Sequence, residues 1–139
     1  MESSEAELHA LMETTGLKYT IDDDGDVRCH IGGLGPSKDR THLVWVSNRV
    51  DEYDQYKDRD VFAIVAELKD LPQSYDLLLK LLQIAGRKKG GSLVASETRL
   101  VYRIDVPLTA SADHLRDSVF LCGDIADELE LALTKSDGW

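Results

Sequence analysis

The chain has 139 residues, is 42% hydrophobic and 30% charged, and carries a formal net charge of −10. That length suits one domain able to bury its own core. The acidic balance repels nucleic-acid phosphates, and no segment approaches the roughly 18 to 20 apolar residues of a membrane span, so neither nucleic acid nor membrane is an expected partner.

The opening stretch MESSEAELHA is acidic and polar, unlike a secretory signal, and predicts a cytoplasmic protein. Cys29 and Cys122 sit within apolar patterns and are expected reduced and buried.

A first helix is predicted over residues 5–15, with Ser4 and Glu7 as a capping box, Leu8, Leu11, Met12 and Thr15 on one face, and Gly16 as its stop. Leu17, Tyr19 and Ile21 alternate, as do Val27, Cys29 and Ile31, which predicts two strands. Between them lies DDDGD, residues 22–26. A calcium loop with Gly25 in its sixth position would need ligands at Thr20 and Ile31, and Ile31 has none to give. Asp-Gly between alternating apolar runs predicts a hairpin turn instead.

Residues 32–39 read as a loop, THLVWVSN as a strand over 42–47, and DEYDQYKDRD as a charged loop. Tyr53 and Tyr56, set among acids in that loop, suit either a basic partner or plain solvation. VFAIVAEL, residues 61–68, is apolar on both faces and predicts a central strand.

Pro72 opens a predicted second helix ending at Ala85. Its Leu77, Leu78, Leu79, Leu81, Leu82, Ile84 and Ala85 spread over an arc of about 200° at the helical repeat. Packing on one sheet needs less, so a second body is expected against this helix. Arg87, Lys88 and Lys89 read as a solvated helix end.

A hairpin follows, residues 92–96 with 99–106, its Leu100, Tyr102, Ile104 and Val106 facing inward. Ser111 caps a third helix, 112–135, with Leu115, Val119, Cys122, Ile125, Ala126, Leu129 and Leu133 as its inner stripe. Phe120 and Leu131 lie on the polar side beside Asp113, Asp124 and Asp127, a candidate contact patch. Residues 136–139 are expected to fray. The whole predicts one α+β domain with a mainly antiparallel sheet, in the order α-ββββ-α-ββ-α.

No catalytic residue, cofactor cradle or metal set emerges. His9, His30, His42 and His114 lack ligand spacing; His30 and His42 could meet by strand pairing, but the expected reading is incidental sheet-surface histidines. Asp124 and Asp127 beside Cys122 argue against a reactive thiolate.

The segments LPQSYDLLLKLLQIAGRKKGGSLVASETRLVYRIDVPL and TASADHLRDSVFLCGDIADELELAL carry a leucine-rich helix, a hairpin closing on Ile104 to Leu108, and a long final helix containing Ala126-Asp127. In this they resemble the YbjN family of bacterial sensory-transduction regulators and, more broadly, the type III secretion chaperone fold. The resemblance covers residues 71–133 in pattern and the rest in element order. Secretion chaperones have fewer strands before the middle helix, which places the chain nearer YbjN. The asparagine often found after that helix is replaced here by QIAGRKKGG. The resemblance implies a dimeric, non-enzymatic protein-binding domain. The expected partner or dimer surface is Leu77, Leu78, Leu81 and Leu82, with Phe120 and Leu131 as a second patch for a regulatory partner. An enzyme would require His30, His42 and acidic side chains gathered in a pocket.

Overall fold

The computed structural model describes residues 3–87 and 90–135, with side chains over 5–87 and 90–134. The side chain of Ser4, the pair Lys88 and Lys89, and the tail 136–139 lie outside the described residues. Among these residues the chain runs α1 (Ser3–Glu13), β1 (Tyr19–Ile21), β2 (Val27–Leu34), β3 (Arg40–Val46), β4 (Asp51–Tyr53), β5 (Tyr56–Glu67), α2 (Tyr75–Gly86), β6 (Gly91–Ser96), β7 (Arg99–Pro107) and α3 (Ala112–Lys135). The fold is α+β, and its sheet is antiparallel in every described pairing, ordered β1-β2-β3-β5-β7-β6 with β4 also on β5.

The Asp-rich segment is a hairpin turn. Gly25 takes φ +83°, and Asp22 Oδ1 accepts the amides of Asp24 and Asp26 at 2.9 and 3.0 Å. The turn is pinned from outside: Asp26 Oδ1 accepts the Asn48 amide at 2.8 Å, and His9 Nε2 lies 3.1 Å from the Gly25 carbonyl.

Several boundaries differ from expectation; β2, for one, runs on to Leu34, into the stretch read as a loop. The charged segment DEYDQYKDRD is not a loop but the β4–β5 hairpin, with Tyr53 opposite Tyr56 and Asp51 opposite Asp58. Asp54 makes its turn at φ +57°. This hairpin carries no apolar alternation because it reaches beyond the core, where water meets both faces. The second helix also starts later than Pro72: the Ser74 hydroxyl accepts the Leu77 amide at 3.2 Å and caps it.

α3 packs across β5, β3, β7 and β2, and α2 packs on α3 and β6. Gly123 allows the close approach, since a Cβ there would sit 3.2 Å from Val44 Cγ2. Cys122 beside it is buried and points at the carbonyls of Val61 and Tyr102. Leu8 and Met12 of α1 complete this core. All of this packing is on one face of the sheet; no described helix covers the other. No described helix is long and apolar enough to cross a membrane.

Candidate protein-binding surfaces

The α2 leucines divide into two sets. Leu77 and Leu81 are 7% and 1% exposed and belong to the chain's own core, so they are not available to a partner, contrary to expectation. Their positions on the helix turn them toward α3 and the sheet. Leu78 and Leu82 are 51% and 50% exposed, and Tyr75 and Leu79 share their outer stripe. Beside this stripe runs β6, GSLVAS, an edge strand without a charged residue. Native edges are usually blunted by charge, proline or shortness. The opposite edge, β1, has only 3 residues.

On α3, Phe120 is exposed, but Leu131 is half-buried in a cleft of about 420 Å³ between α2, α3 and Gly35-Pro36. They do not form one patch: eleven residues along a helix separate them by roughly 16 Å. Nor is the acidic side of α3 free along its length. Asp127 is 1% exposed, and its Oδ1 accepts Arg40 Nε at 2.7 Å. Glu130 stands 3.8 Å from Arg40 and 3.4 Å from His42, and Glu128 accepts from Arg87 at 3.1 Å.

The uncovered sheet face is a surface that the sequence reading did not single out. The register places Phe62 beside Trp45 on β3 and Arg103 on β7, and Ile64 beside Val101, which in turn faces Val94 on β6. Trp45 and Phe62 stack with centroids 5.7 Å apart and planes 10° from parallel. A groove of about 200 Å³ runs over Phe62, Ile64, Val94 and Val101, with Asp60, Glu97, Arg99 and Arg103 also lining it. The signal was present in THLVWVSN and VFAIVAEL, which are apolar on both faces.

The same face turns acidic toward the β4–β5 hairpin. Alternation along β5 sets Tyr56, Asp58, Asp60, Phe62 and Ile64 on it in turn. Asp51 lies opposite Asp58, and Asp60 opposite Asp105. Carboxylate oxygens of Asp51, Asp58 and Asp60 come within 4.8 Å of one another. Burial, then the hydrogen bond shared with Asp105, pushes the Asp60 carboxyl up to about 6. Burial, then the charges of Asp105 and Asp51, raises Asp58 as well. Arg103 and Arg49 each stand 3.6 Å from one of these acids, Asp105 and Asp51.

His30 and His42 lie on paired strands but do not meet. His30 pairs with Leu43 and His42 with Ile31, so the two rings project from opposite faces. His42 is buried against the Ile64 carbonyl at 3.1 Å, while His30 is exposed. Both cysteines are free and buried, and burial pushes the Cys29 thiol up to about 12 and that of Cys122 further. Compared with family models, curated proteins and solved structures, the chain matches none.

Proposed function

We propose that the chain is a non-enzymatic protein-binding module of the YbjN or secretion-chaperone-like kind, working in the cytoplasm as a homodimer without cofactor or nucleic acid. The observation that supports this reading is the outer stripe of α2: Tyr75, Leu78, Leu79 and Leu82 stand in water beside an uncharged edge strand. Covering such a stripe gains about 25 cal/mol per Å² before association costs. A second copy is the fitting occupant. An antiparallel edge strand is self-complementary about a two-fold axis, and this is a nearly uncharged zone on a molecule of charge −10, where two copies repel least.

Sedimentation velocity tests the dimer. The wild type should sediment as a concentration-dependent dimer and Leu78→Glu as a folded monomer. A wild-type monomer at high concentration would remove this part of the reading. A stress or sensory-transduction regulator acting through the acidic face of α3 is the second reading, and exposed Phe120 favours it. Co-purification from native cells separates the two, since Phe120→Ser would then lose the partner and Leu78→Glu would keep it.

A further inference from the structure

The uncovered face of the sheet has two chemistries in register. Its middle holds the half-buried Trp45, Phe62 and Ile64 and the already buried Val101, with Arg28 beside Trp45 and Arg103 beside Phe62. Its end is acidic: Asp51, Asp58, Asp60 and Asp105, in two directly opposed pairs whose charge Arg49 and Arg103, each 3.6 Å from one of them, offset in part. Like charges placed opposite each other across a ladder are destabilising. Half-buried apolar residues on an uncovered face leave hydrophobic stabilisation unrealised. Both costs are relieved by one kind of occupant. At the tip, Tyr53 and Tyr56 are exposed rings beside the carboxylates, a setting that favours cations twice over.

We infer that this face binds a basic amphipathic helix of another protein, its apolar stripe over Phe62, Ile64 and Trp45 and its lysines or arginines among Asp51, Asp58, Asp60 and Asp105. From Asp58 to Ile64 the strand spans roughly 20 Å. A helix of about 13 residues covers that length. The positive end of its dipole lies best toward the carboxylates, so its N-terminus points to the β4–β5 hairpin. A second copy of this chain is a poor occupant. It brings a charge of −10, and at the far end of its face Arg99 is already paired with Glu67 at 3.1 Å. An anionic membrane surface is repelled by the same acids. The inference rests on the reading of the chain as a protein-binding module, but not on a dimer through α2.

The probe is a synthetic Leu/Lys helix of about 14 residues carrying a fluorophore, followed by anisotropy against the full chain. It should bind in the micromolar range and weaken at high salt, while the matching Leu/Glu helix does not bind. The double variant Asp58→Asn/Asp60→Asn should lose affinity roughly tenfold. Ile64→Gln should lose a similar factor, whereas the remote pair Asp70→Asn/Asp76→Asn should bind as the wild type. Relieving carboxylate crowding does not endanger the fold, so the Asn variants keep the test decisive if Ile64→Gln fails to fold. Equal losses in the remote pair would reduce the effect to net charge and overturn the inference. So would unchanged binding in Asp58→Asn/Asp60→Asn, or a dimer abolished by Ile64→Gln, which would give the face to a second copy. Leu78→Glu should bind the probe unchanged, so the α2 dimer and this face succeed or fail separately.

Discussion

Arg40 Nε donates to Asp127 Oδ1 at 2.7 Å across 87 positions of sequence, joining the start of β3 to the middle of α3. The carboxylate is almost wholly enclosed while its partner reaches water, and Gly35 leaves room for the arginine stem: at φ +82° a Cβ there would lie 2.7 Å from Arg40 Cδ. Removing the arginine strands a charge in the interior, whereas removing both groups does not. Arg40→Ala is therefore expected to destabilise more than Arg40→Ala/Asp127→Ala. Urea denaturation of the two variants and the wild type measures the difference. A double variant less stable than the single one would show that the buried carboxylate has other support.

The division of the α2 leucines predicts opposite responses to one substitution. Leu81→Ala leaves a cavity under the helix and should cost about 2 to 5 kcal/mol. Leu78→Ala removes a side chain standing in water and should shift monomer stability by about 0.5 kcal/mol or less. Chemical denaturation at concentrations low enough to dissociate any dimer compares them directly.

Asp60 predicts a pH dependence with a definite sign. Its carboxyl in the fold, at about 6, lies above the ordinary value of 3.8, so between those values the fold holds a proton that the unfolded chain releases. Its contribution falls as pH rises through that window and is level above it. Asp60→Asn cannot titrate. Its stability relative to wild type should be near parity at about pH 4, rise through about pH 6, and stay higher above that. Parallel denaturation curves from acid to neutral pH would read this out. Flat differences would show that Asp60 ionises as an ordinary surface carboxylate.

Tyr102 is fully buried, and its hydroxyl finds no hydrogen-bond partner among the described residues. A buried polar group left unsatisfied costs about 1 to 3 kcal/mol. Tyr102→Phe keeps the ring, which fills the space over Gly91, and should raise stability by about 1 kcal/mol. Thermal unfolding of the variant measures it. A loss of stability would mean that the hydroxyl is bonded to water in solution.

Much of the architecture was legible in local pattern. Asp-Gly between alternating runs gave the first hairpin, because a residue such as Gly25 can hold a positive φ that others resist. The inner stripe of α3 from Leu115 to Leu129 was visible at the helical repeat and is buried as read. The β4–β5 hairpin was not legible, since its pairing comes from backbone bonds and leaves no apolar period.

For the surfaces, the sequence determined the amount of apolar area and the tertiary structure determined its address. An excess over what one core needs was evident in α2, but which leucines carried it depended on where α3 crossed: Leu77 and Leu81 went under, Leu78 and Leu82 stayed out. The same excess in VFAIVAEL read as a central strand, which β5 is, but that position does not say which face a helix covers. Only the packing of the described helices on a single face shows that Trp45, Phe62 and Ile64 lie on the uncovered one, with the carboxylates of Asp58 and Asp60 in line beside them. Periodicity fixes which side of a strand a residue occupies; what stands over that side is a long-range matter, decided by chain segments far away in sequence.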